Sequence, residues 1–82
     1  MRLDKFLKVS RLIKRRTVAN EACDNERVSV NGRPAKASYD VKIGDVLEIR
    51  FGLKTLKVEV LQVAEAMRKD DASTLYRELP NE

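Results

Sequence analysis

Arg2, Lys5, Lys8, Arg11, Lys14, Arg15 and Arg16 put seven cations within sixteen residues, with Asp4 the one acid among them. Such a run can do one kind of chemistry, which is to hold anions. Guanidinium groups bridge phosphate oxygens at fixed geometry or stack on exposed bases, while ammonium groups act more as point charges. The segment carries +6 and the whole 82-residue chain +4, so everything beyond Arg16 is net acidic and the excess reads as a contact surface. The run ends in Lys14-Arg15-Arg16 directly before Thr17, a residue suited to cap a helix. Guanidinium groups beside the positive end of a helix repel its dipole unless an anion lies between them. A nucleic-acid phosphate is the anion expected. RNA is favoured over DNA, because no helix offering base-reading Asn, Gln or Arg is visible. A solvated helix face is the usual fate of a charge run, but it fits less well where nearly every charge has one sign.

Lys36 and Ser38, just after Asn31-Gly32, form a second candidate contact: a turn with a nearby cation and hydroxyl can hold a phosphate or a 2′-hydroxyl. An ordinary hairpin loop accounts for them equally well. Catalysis finds little support. The 13 acidic residues show no paired-carboxylate motif, and the chain has no His, one Cys and three Gly. That leaves no Ser-His or Cys-His pair, no Gly-rich phosphate loop and no zinc signature. No metal and no cofactor are expected. The single Cys23 excludes an internal disulfide, fits a small buried side chain, and suggests a reducing, cytoplasmic setting. No apolar stretch approaches the roughly 18 residues of a membrane span, and no signal-peptide core follows the basic start.

The elements that must position these groups are legible in outline. Leu3, Phe6, Leu7 and Ser10 share one face of a helix over residues 3 to 10, with Arg2, Lys5 and Lys8 roughly opposite. Asp4 and Lys8 are spaced as a helical ion pair. Leu12 and Ile13 supply apolar anchors in the following turn. A second helix is expected from Thr17, as its cap, to about Asp24, with Val18, Ala19, Ala22 and Cys23 inward and Asn25 as the left-handed terminator. Asn20 stands where Glu or Gln would complete a capping box. The period then changes to alternation: Val28-Ser29-Val30, the tight-turn pair Asn31-Gly32, and a return strand that Pro34 confines to an edge. Ile43-Gly44-Asp45 reads as a turn, and Val46–Phe51 and 54–63 as a hairpin broken at Gly52. Ala72, Leu75, Tyr76 and Leu79 recur at helical spacing behind Asp70 and Asp71, which predicts a short terminal helix ending at Pro80. The fold class is α+β, with two amino-terminal helices packed on a small, mostly antiparallel sheet. Residues 1–63 are expected to form the binding domain with its hairpin extension, and residues 64–82 an acidic helix or tail.

Several separate motifs occur here in order. They are Arg2-Leu3-Asp4-Lys5-Phe6-Leu7, Arg15-Arg16-Thr17, Val28-Ser29-Val30-Asn31-Gly32, Lys36-Ala37-Ser38 and Lys42-Ile43-Gly44-Asp45. Together they resemble the αL RNA-binding motif, the domain named after ribosomal protein S-four, from about Arg2 to Arg50. Asn25 departs from the Gly common before the first strand of that domain. The catalytic portions of pseudouridine synthases and tyrosyl-tRNA synthetase, which also carry the domain, have no counterpart here. The full length is most similar to the stand-alone bacterial forms: the short RqcP group, and its relative heat-shock protein fifteen. The resemblance implies a non-enzymatic RNA binder of the large ribosomal subunit carrying P-site peptidyl-tRNA. Its partners would be large-subunit ribosomal RNA, the tRNA and the tail-elongation factor RqcH, in ribosome-associated quality control with alanine tailing. It also assigns Arg2 and Arg16 to the RNA-binding surface. A monomer without membrane association is expected. The alternatives are heat-shock-protein-fifteen-like rescue of blocked subunits, an accessory subunit of an RNA-modifying enzyme, and a protein-binding module that uses the acidic tail.

Overall fold

The computed structural model describes residues 1–63 and 74–80. Among the described residues two helices, α1 (Leu3–Val9) and α2 (Arg16–Asp24), precede five strands: β1 (Val28–Val30), β2 (Arg33–Pro34), β3 (Val46–Phe51), β4 (Lys54–Val60) and β5 (Tyr76–Leu79). The strands form one sheet in the order β2-β1-β3-β4-β5, and every neighbouring pair is antiparallel. The α+β class read from the sequence is the one observed.

Alternation sets the register. Val28 faces Ile49 and Val30 faces Leu47 across β1 and β3, while Leu47 faces Val58 across β3 and β4. These residues bury one face of the sheet, because side chains two apart on a strand point the same way. Leu3, Phe6 and Leu7 of α1, with Ala19 and Cys23 of α2, close over that face. All four residues expected on the inner face of α1 are buried, Ser10 included. On α2 the expectation holds for Ala19 and Cys23 only. Ala22 is half-buried and Val18 is 48% exposed, since they sit about 100° around the helix from Ala19 and Cys23, at the edge of the buried stripe.

The helix boundaries correct the sequence reading in two places. Arg15, not Thr17, holds the extended conformation of the cap, and no side chain caps the helix. Ala19 N–H donates to the Arg15 carbonyl at 3.0 Å, so burial of Ala19 fixes the helix phase and draws Thr17 into its first turn. At the other end Asn25 keeps a negative φ and Glu26 takes the left-handed one, at 59°. Glu26 N–H donates to the Cys23 carbonyl at 3.0 Å and Arg27 N–H to that of Ala22 at 2.8 Å. This is the double bond of a Schellman end, built without glycine.

A third correction concerns the carboxy-terminal segment. Tyr76–Leu79 is a strand on the outer edge of β4, not a helix, with Val60 opposite Tyr76 and Lys57 opposite Leu79. Leu75 is fully buried, and Arg77 pairs with Glu59 across the strands. A short apolar run satisfies either period, and here the unpaired edge of β4 supplies the backbone partners that decide it. Only the first residues of the expected helix, 70–73, lie outside the described residues.

One polar knot holds the loops that cover the start of α1. The Asp45 carboxylate, nearly buried, accepts from Asn31 Nδ2 at 3.1 Å, Tyr39 Oη at 2.9 Å and the Lys42 amide at 3.0 Å. Asn31 returns a bond through its Oδ1, which accepts from the Val46 amide at 3.0 Å. The hydrogen bond to Asp45 pushes the Tyr39 phenol above its ordinary pKa. Replacing Asp45 by alanine is expected to cost about 1–3 kcal/mol through the donors left unpaired. Thermal unfolding checks this, at roughly 4–8 °C per kcal/mol for a domain of this size.

Candidate nucleic-acid interface

The start of α1 and the start of α2 meet at Asp4. Its carboxylate is 2% exposed, yet it is surrounded by donors. Arg2 reaches Oδ1 through Nε at 3.1 Å and Oδ2 through Nη2 at 3.3 Å. Arg16 Nε stands 3.4 Å from Oδ2, Asn20 Nδ2 donates to Oδ2 at 3.3 Å, and the Lys5 amide donates to Oδ1 at 2.8 Å. Burial pushes the Asp4 pKa up, but the bonds from Arg2, Asn20, Arg16 and Lys5 outweigh it and hold the carboxyl below its usual value. Asp4 therefore stays ionised at neutral pH. The expected Asp4–Lys8 pair gives way to this cluster, because burial at the helix junction offers better partners than a solvated lysine one turn on.

This arrangement pins two guanidinium groups at one corner while leaving them open to solvent. The Arg2 side chain is 51% exposed and that of Arg16 46%. A guanidinium has five N–H donors; Arg2 spends two nitrogens on Asp4, which leaves further N–H groups for a second anion. Two cations share the one buried carboxylate, and Glu21, a turn further along α2, lies on the rim of the same corner.

The amides beside it complete an anion site. The first-turn amides of α1 are taken: Leu3 donates to the Tyr39 carbonyl at 2.8 Å, Asp4 to that of Ala37 at 3.2 Å, and Lys5 to Asp4 itself. Those of α2 are not. Among the described residues no hydrogen bond accepts from the amides of Arg16, Thr17 or Val18, and the first turn of α2 holds no acid. Four N–H groups at a helix start need partners, and here cations crowd the spot where a capping carboxylate would normally sit. An open depression lined by Asp4, Arg16, Thr17, Asn20 and Glu21 lies at this point.

The other sequence-predicted residues distribute as follows. Lys5 is half-buried on α1, and Lys8, Arg11, Lys14 and Arg15 are exposed along α1, the connecting turn and the cap of α2. Lys14 lies on the far flank of α2 from Asp4, beside Val18 and Ala22. Lys36 and Ser38 are exposed on either side of buried Ala37. The carbonyls of Ala37 and Tyr39 accept from the α1 amides, and the backbones of Arg2 and Asp40 form an isolated antiparallel β-bridge, so this loop is brought against the Arg2 side of the corner.

Sequence reasoning missed Asp4 as the hub and Asn20 as a member. The available signal was an isolated acid inside a cationic run, which suits an internal counter-ion better than a surface pair. Arg11 carries a further signal. It ends α1 with φ of 64°, a left-handed conformation that costs a non-glycine residue about 1–2 kcal/mol, and strain of this kind collects at functional sites. Arg11→Gly is expected to stabilise the fold by about 0.5–1 kcal/mol while weakening RNA binding. Chemical denaturation and RNA titration of the same variant read the two effects separately.

Cys23 takes no part in this chemistry. Burial pushes its thiol up to about 11, with the charges of Asp4 and Asp24 adding to the effect, so it stays protonated at neutral pH. Among the described residues no helix is long and apolar enough to cross a membrane.

The family model described as "S4 domain" matches residues 1–47, which hold both helices, the loops around Asp45 and the whole Asp4 corner. The chain belongs to the S4-domain family. The likeness of this S4-domain protein to its relatives runs past the matched segment. It is 63% identical over 76 residues to a protein of Halalkalibacterium halodurans named "RQC P-site tRNA stabilizing factor", covering 93% of this chain and 86% of that one. A Bacillus subtilis protein of the same name is 55% identical over 82 residues, covering 100% of this chain and 95% of the other. Among solved structures, Vibrio cholerae Heat Shock Protein 15, described as trimeric, superposes with a TM-score of 0.90 at 32% identity, covering 96% of this chain and 81% of that one. Coverage of this extent places the β4–β5 extension within the shared architecture.

Proposed function

We propose that this S4-domain protein is a non-enzymatic RNA binder. It sits on the large ribosomal subunit carrying peptidyl-tRNA, steadies the P-site tRNA, and supports RqcH-dependent alanine tailing of stalled chains in the cytoplasm. The observation that carries the reading is the corner where Asp4 fixes Arg2 and Arg16 beside the unbonded amides of α2. A phosphate there would meet two guanidinium groups and a helix start together. The names of its relatives in Halalkalibacterium halodurans and Bacillus subtilis support the quality-control setting and the P-site tRNA. The chain supplies binding energy and geometry, and the peptidyl-transfer chemistry stays with ribosomal RNA. Arg2 and Arg16 grip the backbone first. Lys5, Lys8, Arg11 and Arg15 extend the positive surface along α1, and Lys36 and Ser38 flank it from the loop.

Neutralising about five phosphates should make log K fall with log salt at a slope of roughly −3.5 to −4.5. A titration from low to moderate salt that gave a slope near zero would contradict the electrostatic account.

A second reading is rescue of blocked large subunits without tail synthesis, supported by the superposition on Vibrio cholerae Heat Shock Protein 15. Affinity does not separate the two, since both act on the same particle. Deleting the gene does: carboxy-terminal alanine tails on stalled chains disappear on the first reading and persist on the second.

A further inference from the structure

The flank of α2 that faces away from Asp4 carries a feature the RNA corner does not use. Val18 and Ala22, one turn apart, form with Leu12 and Phe51 the apolar walls of an open groove of about 480 Å³ between α2 and the end of β3. Val18 is 48% exposed and Phe51 44%, and Leu53, in the adjoining β3–β4 turn, is completely exposed. Large apolar side chains gathered around a groove mark a contact surface, whereas scattered ones do not. Lys14, Arg27 and Arg50 line the same groove, and none of the three forms an ion pair among the described residues.

Apolar walls with a cationic rim call for an occupant that is apolar at its centre and anionic at its edges. A nucleotide fits poorly. Walls that are aliphatic except for Phe51 give little stacking surface, and a base pressed into them leaves its polar edge without partners. Aliphatic side chains fill such a groove without that penalty, and neighbouring carboxylates match the three cations.

We propose that this groove docks a segment of a partner protein that presents aliphatic side chains flanked by Asp or Glu. The two surfaces lie on opposite flanks of α2, so RNA at the Asp4 corner and protein in the groove can be held together.

The test places a photocrosslinking benzoylphenylalanine at Leu53 of the full chain in cells, treats the adducts with nuclease, and maps the crosslinked segment by mass spectrometry. The expected adduct is a net-negative protein segment containing Leu, Ile or Val. Its yield should fall at least fivefold with Phe51→Ser and with the double change Arg27→Glu/Arg50→Glu. The Phe51→Ser protein should keep its RNA affinity within twofold, which separates this surface from the RNA corner. Adducts confined to RNA, to a second copy of this chain or to segments without acids would overturn the proposal. So would the absence of any adduct, or yields that neither substitution changes.

Discussion

Arg16→Ala is expected to weaken RNA binding about 10- to 100-fold while the protein remains folded. The magnitude follows from charge-assisted hydrogen bonds, worth roughly 1.5–3 kcal/mol each. The slope of log K against log salt should flatten by about 0.7–0.9, the share of one phosphate contact. Folding survives because Asp4 keeps Arg2, the Asn20 amide and the Lys5 N–H as partners. Arg16 is also half exposed, so its own pairing contributes little to stability. Arg16→Lys adds a control. The charge stays, so the salt slope should recover, but the rigid fork is lost and affinity should return only in part. Binding within twofold of the parent for Arg16→Ala would remove this residue from the interface. Unfolding by circular dichroism would instead make it a structural residue.

Asp4→Asn separates charge from geometry. Removing an acid raises the net positive charge by one, so an account based on charge alone expects tighter RNA binding. The structure predicts weaker binding, since Arg2 and Arg16 lose the carboxylate that aims them. It also predicts a destabilisation of about 2–3 kcal/mol, below the 3–5 kcal/mol of a fully buried pair because both arginines are half solvated. The melting temperature should fall by roughly 10–20 °C.

The pH dependence has a definite sign. The Asp4 pKa is lower in the fold than its usual 3.8, so its stabilising share is complete above that value and is lost as pH falls through the folded one. The gap in melting temperature between parent and Asp4→Asn should therefore be constant above about pH 5 and narrow below pH 4. A residual acid slope will remain in the variant, because the Met1 ammonium also lowers the Asp40 pKa. A gap that widened on acidification would mean that Asp4 is not held ionised by its neighbours.

What the sequence disclosed and what it concealed divide along physical lines. Strong periodicity was readable: the buried face of α1, the Asn31-Gly32 turn, the edge position of Pro34 and the β3–β4 hairpin all follow from spacing. Choices between near-equal local options were not. Thr17 is a better cap than Arg15 by its chemistry, and Asn25 a better left-handed residue than Glu26, yet the burial of Ala19 and Cys23 overrode both. Leu75, Tyr76 and Leu79 fit a helix as well as a strand until the free edge of β4 is known. For the site, the cations were visible because charge is a property of composition. Asp4 as their organiser was not, because its meaning depends on α2 returning to place Arg16 and Asn20 against it.

The most direct test is a cryo-electron-microscopy structure of this protein on a large ribosomal subunit that carries peptidyl-tRNA. The account predicts an RNA phosphate within hydrogen-bond distance of Arg2, Arg16 and the first amides of α2, with Asp4 still bonded behind them. A complex in which that corner faces open solvent while RNA is held elsewhere would contradict it.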